Sequence, residues 1–338
     1  MTRYDLPATR DTVVDVLDRD TPPVLTLDAG DSVTVGSLEA AGYLEPMRTP
    51  GEPVPRMFEG GTGHCLTGPI AVRGAEPGMV LEVRLESVRA GPWGWTLAGV
   101  KDNPLTRRLG VADGPPAWLL WDIGEGTATD DRGRTVDIAP FLGVVGVPPV
   151  EPGPHSTVPP RAGSGGNLDC RDLVAGSTLY LPVTVPGALL HLGDGHAAQG
   201  NGEVAGTAIE CPMTTEVTLN LRERAPVPGI HAETPEGRVT FGFDADLNAA
   251  TGDALDAMLG WLCTLFDLDR TTALALAGAV VDLRITQVAN DTWGVHAVLP
   301  YDAVRSVRGV RSECEKPDVD PRKPERKLRE TEWKPGTH

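Results

Sequence analysis

Short stretches of period-two alternation, each cut off by glycine or proline, constrain this chain more than any other feature. In MVLEVRLESV (residues 79–88), Met79, Leu81, Val83 and Leu85 fall on one face, while Val80, Glu82, Arg84 and Glu86 make a mainly charged opposite face. That is the signature of a strand buried on one side. The GAEPG before it (74–78) supplies proline's fixed φ and glycine's positive φ where the chain must reverse. DTVVDVLD (11–18) and DSVTVGSL (31–38) share the alternation. AGSTLYLPVTVPGALLHLGD (175–194) reads as two strands joined at Pro186-Gly187, and its Leu179, Leu181, Val183 cadence resembles Leu81, Val83, Leu85, a hint of a duplicated β unit. GTAIECPMTTEVTLNLRER (206–224) predicts another long strand, with Val217, Leu219 and Leu221 inward and Glu216, Thr218 and Asn220 outward. With 40 glycines, 31 prolines and only 5% aromatics in 338 residues, the composition fits short strands and many loops rather than a helical bundle.

Two late segments break this pattern. ATGDALDAMLGWLCTLFDLD (250–269) repeats Leu255, Met258, Leu259 and Leu262 at helical spacing behind a Thr251 or Asp253 cap. TTALALAGAVVDL (271–283) is almost uncharged, which predicts a helix buried on most sides. Together they predict a helical hairpin laid on a sheet. Residues 113–160 show few strands but many prolines and glycines, as expected of connections that border a site or make subunit contacts. Beyond residue 305 the chain turns charged and proline-punctuated, so 306–338 is expected to be a mobile tail following a region of 1–305.

The formal net charge of −17 disfavours nucleic acid or an anionic membrane as partner and leaves a small neutral or cationic ligand open. From Tyr301 onward basic residues outnumber acidic ones ten to eight, so the excess acid lies in the body. Cys65, Cys170, Cys211, Cys263 and Cys314 are scattered, with no CxxC pair, and read as reduced thiols. The charged start lacks a signal-peptide core and no window resembles a membrane span, so a cytoplasmic protein is expected.

The stretch HLGDGHAAQGNGE (191–203) concentrates polar chemistry. It lacks the GxxxxGK[ST] of a phosphate loop, and a strand rather than a helix follows its glycines, which excludes a dinucleotide loop. Asp194 and His196, two apart, share a face if extended, and carboxylate with imidazole suits zinc or iron. His191 falls on the opposite parity. An isolated Asp-Gly-His is more often a hydrogen-bonded turn than a ligand set. His155, among prolines, reads as solvent-facing and His296 as a packed edge residue. Trp93 and Trp95 read as core before pocket wall.

Taken whole, GGNLDCRDLVAGSTLYLPVTVPGALLHLGDGHAAQGNGEVAGTAIE (165–210) resembles the core signature of the acetamidase/formamidase family of amide hydrolases. GHCLTGPIAVRGAEPG (63–78) and AVVDLRITQVANDTWGVHAVLP (279–300) resemble the family's N-terminal strand and turn and its C-terminal close, in order over roughly residues 25–305. The resemblance implies a mainly β / α+β fold: a jelly-roll-like β-sandwich core with a smaller α+β part at about 225–300 holding the helical hairpin, all within a catalytic region of 1–305. It also implies hydrolysis of short aliphatic amides to carboxylate and ammonia. Carried over by position, the polar motif residues are His64, Asn167, Asp169, Asp194, His196, Gln199, Glu203 and Glu210.

Amide hydrolysis needs an activated water, a proton for the leaving nitrogen and stabilisation of the carbonyl oxygen. His64, Asp169, Asp194 and His196 are the expected ligand pool for a divalent metal, zinc first. Glu203, then Glu210, is the expected proton donor, and Asn167, Gln199 and Asn201 are expected on the substrate side. One departure stands out. Where the family commonly reads GDGE, this chain has Gly200-Asn201-Gly202-Glu203. A ligand or base role would be lost with that change, whereas a turn role tolerates Asn, which also accepts a left-handed backbone. Rival readings are a small-ligand-binding β-sandwich without turnover, for which Asn201 is the only support, a thiol mechanism through Cys65, Cys170 or Cys211, and a metal-dependent oxidoreductase using the same His/Asp set. Exposed β edges and long proline-rich connections predict a homo-oligomer.

Overall fold

In the computed structural model, which describes residues 1–61 and 63–305, the alternating segments form two packed sheets. The expected tail of 306–338 lies outside the described residues. The larger sheet has nine strands in the order Arg3–Leu6, Ser32–Ser37, Met213–Arg222, Val80–Ala90, Thr178–Pro182, His231–Glu233, Gly237–Asp244, Trp293–Pro300 and Asp282–Gln287. The second has six. Gly165–Asn167, Phe141–Gly146, Leu190–His196, Leu66–Val72 and Val13–Val14 lie side by side, with Leu25–Leu27 parallel to Leu66–Val72. A four-stranded meander, Trp93–Ala98 through Thr135–Asp137, flanks them.

The core sits between the sheets. Leu81, Val83 and Leu85, with Leu179, Leu181, Val217 and Leu219, face Ile70, Val72, Leu142, Val145, Leu190 and Leu192 in one buried cluster. Period two explains this: along Val80–Ala90 the leucines and valines are buried while Arg84 and Glu86 are exposed. Truncating one such leucine to alanine costs about 2–5 kcal/mol. The β-sandwich expected of the chain is the fold observed.

Several local expectations change. Thr178–Pro182 and Leu190–His196 do not form a hairpin but belong to different sheets, and the chain crosses between them with Ala188 and Leu189 at φ 62° and 58°. The repeated cadence marks cross-strand neighbours, Leu179 opposite Val83 and Leu181 opposite Leu81. Residues 113–160 hold five strands, Ala117–Ile123, Thr127–Asp130, Thr135–Asp137, Phe141–Gly146 and the short His155–Ser156. These escape a period-two search because Phe141–Gly146 is buried at all six positions and Thr135–Asp137 is exposed at all three. Thr218, expected outward, is buried beside a register shift and donates to Glu86 (2.9 Å).

The helical hairpin packs on Gly237–Asp244 and Trp293–Pro300 of the larger sheet. Its first helix, Leu247–Phe266, starts ahead of Thr251 and Asp253: Asp246 is the cap, accepting from the Asn248 N–H (2.9 Å). The second, Arg270–Val280, is capped by Asp269 and buries only Ala273 and Ala277, whereas Leu274 is 53% exposed. Lack of charge did not mean burial, because a helix built mostly of alanine and threonine offers little apolar area per turn. No helix among the described residues is long and apolar enough to cross a membrane.

Candidate active site

Five buried polar side chains converge where the six-stranded sheet meets its adjoining turns. Leu190–His196, paired with Phe141–Gly146 on one side and Leu66–Val72 on the other, ends in Asp194 and His196. The short strand Gly165–Asn167 runs into Asp169, whose N–H donates to the Gly143 carbonyl (3.1 Å). A turn tied down by Gly202 N–H to Thr286 O (3.0 Å) and Val288 N–H to Gly202 O (2.8 Å) delivers Glu203. Glu210 arrives through reciprocal backbone bonds with Trp95 (3.0 and 2.9 Å).

Asp169, Asp194, His196, Glu203 and Glu210 are between 1% and 6% exposed. His196 Nε2 lies 3.3 Å from Glu210 Oε1 and 3.5 Å from Asp194 Oδ1. Donor atoms of Asp169, His196 and Glu203, and likewise of Asp194, His196 and Glu210, lie within 4.8 Å of one another. Both Asp169 oxygens, Asp194 Oδ1, Glu203 Oε2, Glu210 Oε2 and His196 Nε2 have no hydrogen-bond partner. Burying that many acceptors unpaired is far too costly for packing alone, and a cation is a partner that either triplet, Asp169, His196 and Glu203 or Asp194, His196 and Glu210, could hold.

The electrostatics agree. Burial raises the Asp169 carboxyl well above the usual range, and Glu203 and Asp194 raise it further. Burial likewise raises Glu210 and pushes Glu203 up to about 8. Asp194 goes the other way: burial opposes ionisation, but His64 and His196 outweigh it and hold the carboxyl low. At His196 burial favours the neutral ring, yet Glu210 and Asp194 keep the imidazole protonated well above its ordinary value. Positive charge is in demand here, and a proton on His196 meets it when no cation does.

Gln199 fixes which way His196 serves. Its Nε2 donates to the Asp169 carbonyl (2.8 Å), so its Oε1 faces His196 Nδ1 (2.9 Å) and can only accept. Nδ1 therefore carries hydrogen, and Nε2, facing Asp194 and Glu210, carries the second proton when no cation is bound and is the nitrogen free to bind one.

The backbone is strained at the same place. Asp169, Asp194 and Glu203, at φ 48°, 58° and 43°, are three of the six non-glycine residues in the left-handed region among the described residues, at about 1–3 kcal/mol each. So Asp194 and His196 meet through a left-handed kink rather than through extended alternation.

Gly143 forms the floor. A Cβ there would collide with Asp194 Oδ2 and stand 2.8 Å from Asp169 Oδ1 and His196 Cε1. Sequence reading passed it over. Its one signal is a glycine inside the apolar run FLGVVG, which marks a close approach. Glu39 was missed too. Fully buried, it accepts from the Tyr43 N–H, the Ala41 N–H (2.8 Å) and Trp95 Nε1 (2.9 Å), steadying the tryptophan that pairs with Glu210. Burial pushes its carboxyl up to about 7.

Other expected residues fall outside the five. His64, half-buried, stands 3.9 Å from Asp194 Oδ2, its Nδ1 on Thr157 Oγ1 (3.0 Å). Asn167 is buried, donates to Val158 O (3.0 Å) and leaves Oδ1 unpartnered. Asn201 is exposed at the rim of a cavity of about 410 Å³ that Gln199 and Glu203 also line. Left-handed conformation in its turn falls to Gly202 and Glu203, so that tolerance does not account for Asn201.

His191, fully buried with both ring nitrogens unpartnered, is pushed down to about 4 by burial and joins no ligand group. His155 is half-buried, bonded to the Glu151 carbonyl (3.0 Å). His296 is packed, but on a strand inside the sheet rather than at its edge. Trp95 packs on Tyr43 and Trp118 in a core cluster. The Cys65, Cys170 and Cys211 thiols are buried, which pushes Cys65 and Cys211 up to about 12 and Cys170 higher still.

The model of the Acetamidase/Formamidase family matches residues 147–226, the stretch that contributes all five side chains of the cluster. Over that stretch the chain is similar to the acetamidase/formamidase family. Among solved structures, the acetamidase of Bacillus halodurans superposes with a TM-score of 0.76 at 25% identity, over 88% of this chain and 97% of that one. The acetamidase of Yersinia enterocolitica gives 0.78 at 25%, over 90% and 93%. An acetamidase of Mycolicibacterium smegmatis is 28% identical over 199 residues, 42% of this chain and 49% of its own. Matches to curated acetamidase/formamidase relatives span 47% to 61% of those relatives' length.

Proposed function

We propose that this protein hydrolyses carboxylic amides of the formamide and acetamide type, releasing carboxylate and ammonia. The observation that carries this reading is the set of unpartnered, buried acceptors gathered around His196 Nε2. Asp194, His196 and Glu210 would hold a divalent cation, with His64 and Asp169 in reach and Gln199 orienting the imidazole. Such a cation, when bound, supplies Lewis acidity and lowers the pKa of water. Mixed imidazole and carboxylate donors suit zinc.

The protein's own groups do the rest. Glu203, which burial pushes up to about 8 in the cation-free protein, stands beside Asp169, whose carboxyl is also raised, and is placed to hand a proton to the leaving nitrogen. It faces the cavity, where a bound amide would lie. The unpartnered Asn167 Oδ1 can accept from an amide N–H. The raised, buried thiols weigh against a cysteine nucleophile. Scattered free cysteines support a reducing, cytoplasmic setting. Exposed Leu283 and Ile285 on the edge strand Asp282–Gln287 support self-association with a second copy, which sizing in solution tests.

The experiment is metal content of the purified protein together with ammonia release from formamide, acetamide and propionamide before and after chelation. Stoichiometric metal with chelator-sensitive release is expected. Release from metal-free protein would overturn the metal centre, and metal without release from any amide would overturn the amidase reading.

A further inference from the structure

The cavity beside Glu203 is too large for the amides that name the family. At about 410 Å³ it falls among pockets that hold drug-sized ligands, about 300–1,000 Å³, while acetamide has only a few heavy atoms. Its walls are mainly apolar: Trp121 and Ile209 are buried in the wall, and Val136 and Val204 project into solvent at 39% and 72% exposure. The Trp121 indole N–H is already spent on Thr96 Oγ1 (3.0 Å), so the ring offers apolar surface. Charged groups in the wall besides Glu203 are Arg171 and Asp137, one of each sign, which gives no bias toward an ionic acyl group. Glu203 and Gln199 line this cavity and also belong to or brace the carboxylate cluster, so an acyl chain extending from the reacting carbonyl would enter it.

Resting on the amidase reading, we infer that this site takes amides with an extended apolar acyl group in preference to formamide or acetamide, Val136, Val204, Trp121 and Ile209 forming the acyl-binding wall. Each methylene buried there is worth about threefold to fourfold in kcat/KM. The reaction is unchanged: water adds at the carbonyl carbon, the C–N bond breaks and the nitrogen leaves as ammonia with the proton it takes up.

The test is kcat/KM by ammonia release for formamide, acetamide, butyramide and hexanamide, on the metal-replete protein and on a Val136→Asp, Val204→Asp double variant. Both side chains are solvent-exposed, and a thermal melt checks the fold. The expected result is a rise of at least about tenfold from acetamide to hexanamide that the double variant flattens. Rates that fall with chain length, or a rise that the double variant leaves intact, would overturn the inference while the amidase reading stands. Ammonia from none of the amides would remove both.

Discussion

Two histidine–carboxylate clusters stand out among the described residues, and they differ in one respect. Around His296, every polar group is matched: Nδ1 pairs with Thr286 Oγ1 (2.8 Å), Nε2 with Asp172 (3.1 Å), and Asp172 accepts from Arg284 (2.7 Å), which also grips Glu236. Around His196, the matching stops at Gln199, and six buried atoms have nothing to bond. Both groups satisfy a distance criterion for metal ligands, the first with Cys170. Proximity therefore does not separate a site from a brace. Satisfaction does: the His296 cluster is complete with protein atoms alone, and an arginine already supplies its positive charge.

The strongest test of that contrast is His196→Ala. It should abolish bound metal and lower turnover on the order of a thousandfold, while His296→Ala leaves metal content unchanged. Equal metal loss in both variants would erase the distinction. Next, Gly143→Ala should lower turnover by about a hundredfold with little change in melting temperature, because the new methyl group occupies the space between the carboxylates, not the core. A fully active Gly143→Ala would mean the floor is not where the chemistry is.

The two clusters should also answer pH with opposite signs. Glu203 has a folded value near 8, above its unfolded one. Its contribution to stability is thus full at acid pH and lost as pH rises through about 8. At Asp172 burial opposes ionisation, but His296 and Arg284 outweigh it and hold the carboxyl below its ordinary value. That contribution is present above the unfolded value and lost as pH falls through the folded one. Metal-free wild type should therefore melt several degrees lower at pH 9 than at pH 6, and loading with metal should remove the difference. A flat profile for the stripped protein would contradict it. The smallest effect on turnover is expected from Asp172→Asn: a cost of about 1.5–3 kcal/mol in chemical denaturation with kcat/KM within a few-fold of wild type.

Much of this was legible in the sequence. Strands buried on one face alternate, and Val80–Ala90 and Met213–Arg222 could be read from their residues alone. The polar motif residues were legible only through the resemblance of residues 165–210 to a family, since Asp194 and His196 taken alone read more readily as a hydrogen-bonded turn. What escaped has a common cause: it depends on partners distant in the chain. Phe141–Gly146, buried on both faces, has no period to detect, and Gly143 matters only because Asp169 and Asp194 arrive beside it. Glu39 looks like any surface glutamate until Trp95 is placed against it. The Arg270–Val280 helix misled in the opposite direction, since absence of charge is a weak substitute for apolar bulk.

The near-complete enclosure of the five side chains bears on handling as well as chemistry. A cation held by Asp194, His196 and Glu210, each no more than 2% exposed, would exchange slowly, through the cavity at Glu203 or by local opening of the surrounding turns. A chelator should strip it over the time course of that exchange, and brief exposure will leave the protein loaded. A metal acquired during expression would then be retained through purification, and the growth medium would become a determinant of which ion the isolated protein contains.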